Sequence, residues 1–153
     1  MKRRTKGNLG EAKVIAHLVE LDCEVYVPLF DNGPLDLIFT RNGKVYRVSV
    51  KSTTRLTKGG TWAISLRTCY KGHDKAIVKH FNPSNYEVLA IYVIPKDVVV
   101  LLDASKIKGT ASAHVLESGD SRLLWQRETD GSSSPAANRM VPLGMEFNPP
   151  LCR

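Results

Sequence analysis

Apolar and polar positions follow two different periods along the first hundred residues. Over residues 8–21 the apolar positions Leu9, Ala12, Ile15, Ala16 and Val19 recur at helical spacing and form one stripe. Asn8 stands where an N-cap would, and Glu11 follows three residues later, as in a capping box. Residues 24–29 then read as a strand, and Asp31-Asn32-Gly33-Pro34 as a turn. Residues 35–40 and 45–51 are two further strands on either side of Asn42-Gly43, the strongest short hairpin signal. Strands are also expected at 62–66, 86–94 and 98–102, the last two joined by a Pro95-Lys96-Asp97 turn. A short helix is expected at 74–81. Beyond Leu102 the pattern weakens, with some order over 115–127, a loop at 130–135 and an extended, proline-containing tail. No internal repeat is present. One helix, a central group of strands and then mixed elements predict an α/β (α+β mixed) domain with a mixed sheet.

The hairpin has a geometric consequence. With Asn42-Gly43 as a two-residue turn, Arg41 faces Lys44 and Thr40 faces Val45, so Asp36 falls opposite Ser49. Cross-strand neighbours share a face with Cβ atoms about 5 Å apart. Lys51, two residues past Ser49, joins that face, while Val48 and Val50 point the other way, into the core. A carboxylate, a hydroxyl and an ammonium are thus gathered by local structure alone. A carboxylate near a phosphate attracts a hard cation, and the Val50 carbonyl is a candidate second ligand. Such an ion polarises a phosphoryl oxygen and acidifies water, and a neighbouring lysine stabilises the developing charge. Glu11 on the first helix is a candidate outer carboxylate acting through water. Plainer roles stand beside these: Asp36 ending a turn, Glu11 completing the capping box, Lys51 capping a solvated strand.

Composition narrows the field. The 153 residues suit one domain, and no apolar run approaches the length of a membrane span. The basic start has no apolar stretch of the signal-peptide kind. Three widely spaced cysteines without a CxxC pair argue against a zinc site or a disulfide framework and for reduced thiols in a bacterial cytoplasm. The net charge is +7, and the first 80 residues hold 15 Lys and Arg against 7 acids. An excess of that kind in one region suits a polyanion.

Glu11, Asp36 opening a strand, and Ser49-Val50-Lys51 on the next strand resemble the motif of the PD-(D/E)XK nuclease superfamily. Within it the run from Gly7 to Glu11 and on through Lys51-Ser52-Thr53-Thr54 resembles the restriction-enzyme type of group I intron homing endonuclease, of the kind found in a cyanobacterial transfer-RNA gene. The resemblance implies a restriction-endonuclease-like central mixed sheet flanked by helices. It also implies hydrolysis of double-stranded DNA with Mg2+, with Mn2+ able to substitute and Ca2+ supporting binding without cleavage. By position, Asp36 would be the main metal ligand, Lys51 the catalytic lysine and Glu11 the helix carboxylate. Pro34 is separated from Asp36 by Leu35, a small departure. Ser49 is a larger one, because the family carries Glu, Asp or Gln there and serine is a poor ligand. The expectation is a degenerate or engineered position, weakened cleavage, and recovery on restoring Gln or Glu at Ser49.

Recognition is assigned to the basic stretch after Lys51. Arg55, Lys58, Arg67, Lys71 and Lys75 lie on a loop and ribbon over 53–75, with Gly59-Gly60 allowing a tight turn. Such a ribbon reads base edges in a major groove or contacts phosphates alone. Lys2, Arg3, Arg4 and Lys6 read as a flexible arm gripping the backbone. Trp62 and Trp125 are expected in a core or subunit contact. The expected division is a nuclease core over 1–107 and a C-terminal extension over 108–153 serving assembly or DNA contact. Cutting two strands with one site per chain implies a homodimer or a dimer of dimers. The competing readings are a non-catalytic DNA-binding module on a nuclease fold, a Holliday-junction resolvase of the same superfamily, and a basic RNA-binding protein.

Overall fold

A computed structural model of the chain describes residues 1–30, 33–71, 76–107, 112–117, 124–127 and 140–141. The elements are α1 (Arg3–Glu20), β1 (Glu24–Tyr26), β2 (Leu37–Arg41), β3 (Lys44–Thr53), β4 (Thr61–Ser65), β5 (Thr68–Lys71), β6 (Ala76–Lys79), β7 (Val88–Val93), β8 (Val98–Asp103), β9 (Ser112–Glu117), β10 (Leu124–Arg127) and β11 (Met140–Val141). The main sheet has the order β1-β2-β3-β7-β8. All its pairs are antiparallel except β3 with β7, so the sheet is mixed as expected. A second sheet runs β11-β10-β9-β4, and β5 pairs with β6 in a two-stranded ribbon.

The hairpin forms as read. Asn42 and Gly43 both have positive φ, at 50° and 73°, the requirement of a type I′ turn. The register then runs Arg41↔Lys44 through Leu37↔Val48. β7 is apolar and buried along its whole length, as befits a parallel-paired strand covered on both faces. Val48, Val50, Val88 and Ala90 face α1, where Val14 and Leu18 meet them. Leu89, Ile91 and Val93 face the other way, onto Trp62, Ile64, Leu66 and Phe81. Trp62 is a core residue, as expected. Ile91 is fully buried, so Ile91→Ala should cost about 2–5 kcal/mol. Thermal unfolding checks this, each kcal/mol lowering Tm by roughly 2–4 °C in a chain of this size.

Several expectations give way. Among the described residues α1 covers one face of the main sheet, and β4 with its neighbours covers the other. Among the described residues α1 is the one α-helix. That helix starts at Arg3, and its N-cap Lys2 makes no side-chain cap bond. Asn8 and Glu11 therefore sit inside the helix, and there is no capping box. Arg3, Arg4 and Lys6 are helical residues, not a flexible arm, because Lys and Arg are good helix formers. The buried stripe is Gly10, Val14 and Leu18. Ala12, Ala16 and Val19 are exposed, since the larger Val14 and Leu18 bury more area and Gly10 lets the helix approach. A strand, β6, stands in place of the helix expected at 74–81. A helix as short as 74–81 is marginal without strong packing, and Ile77-Val78 pair readily in a hairpin. β1 stops at Tyr26, short of Pro28.

Candidate active site

Asp36 lies one step before the β2–β3 ladder begins. Its N–H donates to the Val48 carbonyl at 3.2 Å. The approach to it is held from outside the sheet: the Tyr86 hydroxyl donates to the Pro34 carbonyl at 2.9 Å, and Tyr86 stacks on buried Phe81. The Asp36 carboxylate reaches across to β3. Its Oδ2 accepts the Val50 N–H at 2.5 Å and the Ser49 hydroxyl at 3.3 Å. The register inferred from Asn42-Gly43, with Asp36 opposite Ser49, is thus realised in contact.

The N–H and C=O of one strand residue point to the same flank. Val50 directs its N–H toward Asp36, so its carbonyl faces that flank too, past the residue where β2 starts. Ser49 and Lys51 alternate onto the face opposite α1. Lys51 is half-buried, level with Ile91 of β7, and its side chain makes no hydrogen bond or ion pair with any described residue. The Arg47 guanidinium pairs with Glu87 at 2.6 Å and holds its carboxyl below the usual range, tying β3 to the start of β7.

Glu11 is carried by α1, which packs on the face of the sheet opposite Ser49 and Lys51. Gly10 sits directly on β3: a Cβ there would meet the Ser52 hydroxyl at 1.9 Å and Val50 Cγ1 at 3.7 Å. Lys13 pairs with Asp97 at 2.7 Å, on the β7–β8 flank, and that bond holds the Asp97 carboxyl low. Two helical positions are about 200° apart, so Glu11 projects from the other side of α1 than Lys13.

No group of three or more His, Cys, Asp or Glu capable of holding a metal occurs among the described residues. One carboxylate, one main-chain carbonyl and solvent are nevertheless an all-oxygen donor set. Magnesium keeps several waters and needs only one or two carboxylates, so these residues fit such an ion. They do not fit zinc, which takes nitrogen and sulfur.

Beyond the end of β3 the surface opens into a groove of about 460 Å³ lined by Lys6, Ser52, Thr54, Arg55, Ser65 and Arg67, among others. Thr53 Oγ1 donates to the Ala63 carbonyl at 2.6 Å, and Ala63 N–H donates to the Arg55 carbonyl at 2.9 Å. These bonds fold β4 back beside β3 and set Arg55 at the rim. Lys6 reaches Thr54 at 3.4 Å. Of the basic residues proposed for nucleic acid, the groove gathers Lys6, Arg55 and Arg67. Lys2, Arg3 and Arg4 are exposed at the start of α1, and Lys58 is exposed in the turn before β4. Lys71 ends β5, and Lys75 lies outside the described residues, as does the His73-Asp74 pair. Sequence reasoning placed Thr54 in the recognition stretch but missed Ser65 as a groove residue. The meeting of Ser65 with Lys6 spans distant parts of the chain and leaves no local signal.

Comparison with known proteins agrees with this geometry. No curated protein matches the sequence. The chain superimposes on the structure of a bacterial homing endonuclease, I-Ssp6803I, with a TM-score of 0.66 and 19% identity, over 78% of this chain and 82% of that one. A family model described as PD-(D/E)XK endonuclease matches residues 1–125. A chain matched over that length, with Asp36 at the head of one strand and Lys51 on the next, belongs to the PD-(D/E)XK endonuclease family.

Proposed function

We propose that the chain is a sequence-specific endonuclease of double-stranded DNA, of the homing type, that hydrolyses phosphodiesters with Mg2+ and works as a homo-oligomer. One observation carries the reading. The Asp36 carboxylate and the Val50 carbonyl share the flank where β2 begins, and Lys51 lies one residue further along the same strand as Val50. Asp36 and Val50 would hold the ion, which when bound polarises a phosphoryl oxygen and acidifies water. Lys51 places a positive charge where the attacked phosphate gains negative charge. Glu11 accepts a hydrogen bond from water and orients it on the β2 flank. Lys6, Arg55 and Arg67 hold backbone phosphates in the groove. Arg3 and Arg4 at the positive end of α1 add to that attraction, since three cations in the first turn oppose the helix dipole until an anion meets them. Lys2 and Lys58, both exposed, extend the basic surface, and Lys71 and Lys75 are assigned to DNA contact with them. Two strands and one site per chain favour a symmetric pair or a tetramer.

A second reading, a non-catalytic DNA-binding protein on a nuclease fold, is favoured by the single carboxylate of the ligand set. One selection experiment separates the two. A random-sequence duplex library is incubated with the protein and magnesium, and bound and cut molecules are recovered and sequenced. The expected outcome is one recurrent motif with breaks at a fixed position. The same motif bound without breaks supports the second reading. Displacement of duplex by structured RNA contradicts both.

A further inference from the structure

Ser49 occupies the position where the family pattern carries a ligating Glu, Asp or Gln. The structure gives it a different occupation. Its side chain is 1% exposed, enclosed between Asp36 across the hairpin and Leu89 on β7. A hydroxyl has one proton to donate, and here it is directed at Asp36 Oδ2. The Val50 N–H donates to that same oxygen. Both donors engage Oδ2, and Oδ1 accepts from no described residue. A carboxylate held in this way is fixed about its terminal torsion, which is otherwise broad. One oxygen is occupied by the strand, and the other is left without a donor among the described residues.

We infer that Ser49 is a positioning residue for the metal site. Its hydroxyl, with the Val50 amide, locks the Asp36 carboxylate so that Oδ1 alone is offered to a divalent cation. The proposal rests on the metal-dependent reading of the site. It also changes the meaning of the serine: the residue replaces a ligand with a brace for the remaining ligand. A longer acidic side chain at 49 would have to displace the packed Leu89 layer and would set a second negative charge about 5 Å from the first. It would not simply repair the site. The Ser49 bond is the longer of the two, so its share of the orientation is modest. The expected effect is at the low end of the 10–100-fold range known for residues that orient metal ligands.

The test is binding of Mn2+ alone to the whole chain, by calorimetry, with far-UV circular dichroism and thermal unfolding as controls for fold. Ser49→Ala should weaken Mn2+ binding by about tenfold. Ser49→Thr, which keeps the hydroxyl, should stay close to the unsubstituted chain. The magnesium concentration for half-maximal cleavage should rise in Ser49→Ala while kcat at saturating magnesium stays level. Equal Mn2+ affinity in Ser49→Ala and the unsubstituted chain overturns the proposal. Tighter binding in Ser49→Gln or Ser49→Asp overturns it too and restores the degenerate-ligand explanation. If the unsubstituted chain takes up no Mn2+, the metal-site reading itself falls, which is a different result from loss of the serine effect.

Discussion

Asp36→Asn should cut the rate of magnesium-dependent cleavage by about a thousandfold or more, ~4 kcal/mol of transition-state stabilisation. The substitution keeps the shape of the side chain and an oxygen able to accept the Val50 N–H, so the head of β2 stays in place. What it removes is the charge that attracts a hard cation. DNA affinity should hold or rise slightly, because one negative charge beside a polyanion is gone. Single-turnover rates on pre-bound duplex separate the two quantities. A parallel loss of binding and cleavage would point instead to a general disruption of β2 and β3, and the melting temperature would report it.

Lys51→Met should lower the single-turnover rate by roughly 10²–10³-fold, the range for removing one charge-stabilising donor from a catalytic site. Met keeps most of the aliphatic stem level with Ile91 and loses the ammonium. Lys51 has no partner among the described residues, so its loss strands no buried charge, and the fold should be unaffected. Magnesium affinity should change little, which distinguishes this variant from Asp36→Asn. Binding should lose at most one phosphate contact, reducing the salt dependence of the affinity by about one unit of slope. Arg at this position should rescue only in part, because its fork spreads the charge that lysine concentrates.

Much of this site was legible because it is local. Asn42-Gly43 demands a particular turn, the turn dictates the register, and the register brings Asp36 to Ser49 and Val50 without help from the rest of the chain. β7 was legible for a similar reason, being an unbroken apolar run that only a doubly covered strand explains. The helix was harder. Its apolar residues admit more than one stripe, and the choice was made by Gly10 meeting Ser52 and by Val14 and Leu18 meeting β3 and β7. Those partners lie far along the chain. The basic start reads as an arm in sequence because its residue types suit a tail and a helix alike. The groove was illegible for the most physical reason: Lys6, Arg55 and Arg67 meet only once β4 has folded back on β3. The parallel pairing of β3 with β7 across more than thirty intervening residues belongs to the same class.

The central claim is that Asp36, Val50 and Lys51 make a metal-dependent phosphodiesterase centre. Nicking of supercoiled plasmid, followed as magnesium is added and then chelated, tests it most directly. The account predicts strand breaks that begin with the ion, stop with the chelator and persist when manganese replaces magnesium. Breaks that continue unchanged in chelator, or DNA that is bound and left intact with every divalent ion tried, would contradict it.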